Sequence, residues 1–106
     1  MDAPTELLRS LADPTRRGIF EDLCLNGDKT VRALTDKAGI SQPAVSKHLA
    51  ILKQAGLVDG TPTGRQTRYR ARPKALAPLV DWTHRMTAFW DGRLDALEDT
   101  LKRIDQ

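Results

Sequence analysis

The chain has 106 residues and a formal net charge of +3, a length that predicts a single domain with a modest core. Hydrophobic residues make up 40% and charged residues 29%, a balance typical of a folded globular protein and not of a disordered tail. No apolar run approaches the roughly 18 residues needed to span a bilayer. The start, Met1-Asp2-Ala3-Pro4-Thr5-Glu6, lacks the basic and apolar regions of an export signal. The lone Cys24 cannot close an intramolecular disulfide, so a reducing, cytoplasmic setting is expected.

The elements follow from punctuation. Leu7, Leu8 and Leu11 predict a first helix over 4–12. Asp13-Pro14 supplies an N-cap and a proline at the first helical position, so a second helix runs from Pro14 to about Leu25, with Ile19, Phe20, Leu23 and Cys24 on its buried side. Asn26-Gly27 closes it. Thr30 caps a third helix whose Val31, Leu34 and Ala38 share a face, and Gly39 stops it. Ser41 caps a fourth helix with Val45, Leu49 and Leu52 facing inward, and Gly56 ends that one. Two helices joined by the few residues around Gly39-Ile40 make a helix-turn-helix.

Thr61-Pro62-Thr63-Gly64 is dense in turn formers. In the alternating run 66–72, Arg68, Arg70 and Arg72 face one side while Thr67, Tyr69 and Ala71 face the other, predicting a two-stranded hairpin with Tyr69 as a packing residue. From Pro73 the pattern is helical again, with Pro78 near the start of a long continuous helix. Leu79, Thr83, Met86, Trp90, Leu94, Leu97, Leu101 and Ile104 recur at spacings of three and four. About 25 residues at 1.5 Å each give a helix close to 40 Å long, more than the domain's own core requires. Its aromatics Trp82, Phe89 and Trp90 then point to an interface. The domain is therefore expected to span 1–106, with 73–106 as a C-terminal dimerisation helix and with Leu7, Leu8, Trp82, Met86, Phe89, Trp90, Leu94, Leu97 and Leu101 between two copies.

Charge is unevenly spread. Residues 1–40 carry a net of −1 and residues 75–106 a net of −2, whereas residues 41–74 carry +6. A basic middle third that coincides with the helix-turn-helix and the hairpin is the footprint of a phosphate-binding surface. Since Val45, Leu49 and Leu52 point inward, the first turns of the fourth helix present Gln42, Ser46 and Lys47 outward. Recognition helices read bases with their N-terminal residues. Gln42 could pair with adenine, Lys47 with guanine or a phosphate, and Ala44 with a thymine methyl. His48 has two readings, as a base reader or as a ring packed at the helix–hairpin junction. Thr30, Ser41, Arg65, Arg68 and Arg70 are assigned to the DNA backbone or minor groove, while Arg72 and Lys74 are left solvated. Arg16 and Arg17, at the unfavourable end of a helix dipole for cations, are left with a choice between a phosphate and a partner carboxylate.

The segment Ser41-Gln42-Pro43-Ala44-Val45-Ser46-Lys47-His48-Leu49, followed by Leu52 and Gly56-Leu57-Val58, resembles the recognition helix of the ArsR family of winged-helix repressors. Leu11-Ala12-Asp13-Pro14-Thr15-Arg16-Arg17 resembles that family's N-terminal signature, and Gly64-Arg65-Gln66-Thr67-Arg68-Tyr69-Arg70 its wing. The resemblance implies a mainly α winged helix-turn-helix of order α-α-α-α-β-β-α, a homodimer formed by the terminal helices, double-stranded DNA as partner, and repression by occupancy of a palindromic operator. An inducer, small molecule or protein, is left unassigned. The thiolate metal site typical of the family lies in the third helix, which here reads Val31-Arg32-Ala33-Leu34-Thr35-Asp36 and has no cysteine. Soft-metal sensing needs thiolates. A second family site, built across the last helices of the dimer, is approached by Asp81, His84, Asp95 and Glu98, but Asp95 stands where a histidine is expected and Asp81 is one residue out of register. No metal and no cofactor are assigned.

Cys24 reads as a small buried hydrophobe, since a thiol switch requires exposure and a lowered pKa. No Ser/His/Asp set, carboxylate pair or glycine-rich phosphate loop appears, so no enzyme is expected. Two other binding roles remain open at this level: a protein-interaction module using the aromatic helix, and an architectural DNA binder using the basic hairpin alone.

Overall fold

A computed structural model describes residues 2–104. Helix α1 (Ala3–Ala12) is followed by α2 (Pro14–Asn26), a two-residue strand β1 (Lys29–Thr30), α3 (Val31–Ala38), α4 (Gln42–Gln54), strands β2 (Val58–Thr63) and β3 (Gln66–Ala71), a 3₁₀ turn (Pro73–Leu76) and α5 (Ala77–Ile104). The caps are those the sequence signals. Asp2, Asp13, Thr30 and Ser41 each accept a backbone N–H from the residue three further on, satisfying donors that a helix start leaves unpaired. Gly39 closes α3 with a left-handed φ of 68°, its N–H donating to the Thr35 carbonyl at 3.3 Å.

The core is built by α1–α4 and the base of the sheet: Leu7, Ile19, Phe20, Leu23, Leu34, Val45, Leu49, Leu52, Leu57 and Val58 are buried together. Leu7, expected between two copies, is only 3% exposed within its own chain, because the α1 stripe turns it toward α2. Leu8 stays exposed. Leu79 is the last position of α5 packed against the core, and no described residue of α5 is buried.

The sheet has three strands, in the order β1-β3-β2 and all antiparallel, where the sequence predicts two. Lys29 and Thr30 pair with Tyr69 and Arg68, so β3 is the central strand. Tyr69 packs against the core as expected. It lies across from Gly60, where a Cβ would stand 3.0 Å from the Tyr69 ring. Gly64, with φ +66°, opens the two-residue turn between Thr63 and Gln66, the geometry that suits a glycine at the first turn position. Arg72 is not merely solvated: its Nη1 donates to Asp59 Oδ2 at 3.2 Å.

Two residues of α2 differ from expectation. Cys24 is exposed, and Asp22 is buried in its stead. With Ile19, Phe20 and Leu23 defining the inner face, a helix advancing about 100° per residue puts Asp22 and Cys24 at its opposite edges, each roughly 90–110° from the centre. The edge that bears Asp22 is the one Lys37 of α3 covers. Asp22 Oδ1 accepts from Asn26 Nδ2 at 2.6 Å and Lys37 Nζ at 2.9 Å, which hold its carboxyl below the ordinary aspartate value of 3.8. The ion pair ties α2 to α3. We expect Asp22→Ala to cost about 1–3 kcal/mol, read as a shifted urea midpoint at pH 7. A depressed folded-state pKa means that this contribution is whole above the unfolded value and lost as the pH falls through the folded one. Wild type and variant should therefore converge below pH 3.8; a constant gap down to strong acid would refute the ion pair's part.

Candidate nucleic-acid interface

Helix α4 presents its candidate base-reading side chains outward because its own burial pattern leaves them nowhere else to go. Val45, Leu49 and Leu52 are buried, so Gln42, Ser46 and Lys47 are exposed. Ala44 is half-buried. Pro43 in the first turn and the Ser41 cap, whose Oγ accepts from Ala44 N at 3.3 Å, fix where the helix begins.

Beside this end lies a polar cleft of about 570 Å³ bordered by Thr30, Arg32 and Asp36 of α3 and its cap, Gln42 of α4, and Arg65 and Gln66 of the hairpin tip. Gln42, Arg65 and Thr30, assigned from the sequence to base reading, wing and backbone, thus meet around one opening. Arg32 joins them, a residue the sequence reading passed over; its place in the first turn of the helix-turn-helix was the available signal. Thr30 Oγ1 is occupied as the α3 cap, accepting from Ala33 N at 3.2 Å. Arg65, Arg68 and Arg70 are exposed. Arg68 also reaches sideways, its Nη1 donating to the Asp28 carbonyl at 3.1 Å, which fastens the hairpin to the segment leading into α3.

His48 is half-buried and faces α2, not the hairpin. Its Nδ1 is 3.5 Å from Arg16 Nη1. Arg17 finds a carboxylate, its Nε lying 3.9 Å from Glu21 Oε1 one turn on, and both arginines also reach backbone carbonyls. Arg16 donates through Nε to the Ser10 carbonyl and through Nη2 to the Arg9 carbonyl at 3.2 Å. Arg17 donates through Nη1 to the Leu11 carbonyl at 2.8 Å. Both cations serve the C-terminus of α1, the negative end of that helix.

Among the described residues no group of three His, Cys, Asp or Glu side chains could hold a metal ion. Asp81 and His84 are separated along α5 from Asp95 and Glu98 by at least 11 residues, roughly 16 Å at 1.5 Å each, so a single chain does not gather the four. Cys24 has the exposure a thiol switch needs, but burial first and the Glu21 carboxylate second push its pKa up, away from the reactive thiolate. Among the described residues no helix is long and apolar enough to cross a membrane.

Two helices crossing over a short glycine turn, followed by an arginine-edged β-hairpin, define a winged helix-turn-helix. Residues 13–59 match the model of the bacterial regulatory protein, arsR family. The chain is 44% identical over 80 residues to the HTH-type transcriptional repressor SmtB of Mycobacterium tuberculosis, a match covering 76% of this chain and 58% of that protein. It is 39% identical over 92 residues to the HTH-type transcriptional regulator Rv2034 of the same organism, covering 82% of this chain and 85% of the other. Among solved structures, an ArsR-like transcriptional regulator from Rhodococcus sp. RHA1 superposes with a TM-score of 0.76 at 32% identity, over 92% of this chain and 91% of that one. The chain belongs to the ArsR family, whose members are DNA-binding regulators and not enzymes.

Proposed function

We propose that this protein is a transcriptional repressor that binds an inverted-repeat operator as a homodimer, with Gln42, Ser46 and Lys47 reading bases and the wing arginines holding the backbone. The observation that carries the reading is the cleft in which Gln42 of α4 faces Arg65 and Gln66 of the hairpin tip. It puts a base-reading side chain and a phosphate-binding one on the same opening, as a helix in the major groove with a wing beside it requires. Ala44 lies between Gln42 and Ser46 along α4 for contact with a thymine methyl, and Ser41 and Arg70 extend the backbone contacts. The similarity to proteins named as repressors supports the direction of regulation.

The dimer rests on α5. Trp82, Met86, Phe89, Trp90, Leu94, Leu97 and Leu101 are all exposed, Phe89 and Trp90 at 61%. Leu8 of α1 adjoins Trp82 across a shallow groove, so one apolar surface runs across both terminal helices. Single-chain proteins rarely leave so long a stripe bare. A second copy covers it within a single domain, with 73–106 as the dimerisation element.

Selection from a random duplex pool tests the whole reading: an inverted repeat with half-sites about 34–36 Å apart is expected. Retention of all sequences alike would indicate an architectural binder instead. Gln42→Ala should cost about 1–3 kcal/mol on the selected site and relax preference at one position. Arg65→Ala should weaken every duplex equally and reduce the salt slope by about one. Identical behaviour of the two variants in a salt titration would refute this division of labour.

A further inference from the structure

We propose that Arg16 is a positioning residue which, through His48, ties the recognition helix α4 to the C-terminal carbonyls of α1, so that α4 takes its orientation from a helix bordering the dimer face. The consequence for DNA rests on the repressor reading above; the tie itself does not.

Arg16 stands in the first turn of α2, where the helix dipole disfavours a cation. Its guanidinium leaves that end and meets the Arg9 and Ser10 carbonyls of the last turn of α1, groups with no partner inside their own helix. The remaining arm points at His48 Nδ1, 3.5 Å away. A guanidinium has no acceptor, so in this contact Nδ1 is the receiving atom. A planar fork holds its donors in fixed, diverging directions and so serves two carbonyls and a ring on three sides, whereas an ammonium's three donors radiate from a single nitrogen.

The surroundings agree. Beside Arg16, α1 and α4 stand apart across an open groove of about 470 Å³ bordered by Glu6, Arg9, Ile51 and Gln54, so the guanidinium spans a gap that packing leaves unfilled. The Asp13 carboxylate, capping α2, accepts the Arg16 N–H at 2.9 Å and keeps the arginine at this junction. On α4, His48 is half-buried while Ser46 and Lys47 beside it are exposed. His48 thus belongs to the inner shoulder of the helix, and its contribution to DNA binding is the angle of α4.

His48→Gln, His48→Ala and Arg16→Gln separate the possibilities, because the glutamine amide keeps an acceptor for Arg16 and neither His48 variant touches the α1 carbonyls. On the operator selected by wild type, His48→Gln should bind within about threefold and select the same sequence. His48→Ala and Arg16→Gln should each bind roughly tenfold more weakly, and the double variant no more weakly than Arg16→Gln alone, the mark of one shared interaction. A changed consensus with His48→Gln would make His48 a base reader, and full affinity in His48→Ala would show that the tie carries nothing; either overturns the proposal. Should wild type select no duplex, the repressor reading falls and hydrogen exchange without DNA decides. Faster exchange across residues 42–54 in His48→Ala supports the tie, and unchanged exchange overturns it.

Discussion

Replacing Leu49 by alanine should unfold most of this protein's margin of stability. Leu49 sits mid-way along α4, has no solvent exposure, and packs in the cluster that holds Val45, Leu52 and Leu57. Truncating a leucine in such a place loses its transfer energy and leaves a cavity, costing about 2–5 kcal/mol, against a total of roughly 5–15 kcal/mol for a domain. Among the described residues the buried apolar core is ten side chains and α5 adds none to it, so relaxation has little to draw on. The melting temperature, taken at one fixed protein concentration, should fall by about 10 °C or more. A shift of only a few degrees would mean that the α4 core repacks freely.

The second large effect should come from α5. Leu94 and Leu97 lie in the exposed stripe, at 53% and 54% exposure, and the pair of substitutions Leu94→Glu and Leu97→Glu would place two carboxylates in each half of the proposed interface. Sedimentation should then report a monomer. Operator affinity should fall by about 10²–10⁴, the advantage lost when two half-sites are no longer bound by linked modules. The compact part should melt much as before, since neither side chain contributes to it. A variant that stays dimeric would refute the proposed role of 73–106.

Most of the scaffold was legible because it is written in short-range chemistry. Asp13-Pro14, Thr30, Gly39 and Ser41 mark helix ends by hydrogen bonds that reach three or four residues, and Val45, Leu49 and Leu52 announce a buried face by spacing alone. What escaped depends on chain segments meeting. Strand β1 has two residues, too few to alternate, and exists because Lys29 and Thr30 lie against Tyr69 and Arg68. The destination of Arg16 could not be read from a helix wheel, since the guanidinium folds back onto α1 and forward onto α4. Asp22 was within reach: it falls three residues after Ile19 at the edge of the inner face, and a carboxylate there demands a partner, which Lys37 supplies fifteen residues on. Leu7 and Leu8 differ in fate because adjacent helical positions point about 100° apart.

Thr30 ends β1 and caps α3 at the same time, and Arg68 of the central strand is fastened to the carbonyl of Asp28 just before it. The hairpin therefore cannot swing about its own base without unpicking a strand pair and disturbing a helix start. A wing held in this way arrives at a duplex already shaped. Its ordering entropy is charged to folding and not to complex formation, leaving the heat-capacity change of association to report buried surface and not a loop becoming ordered.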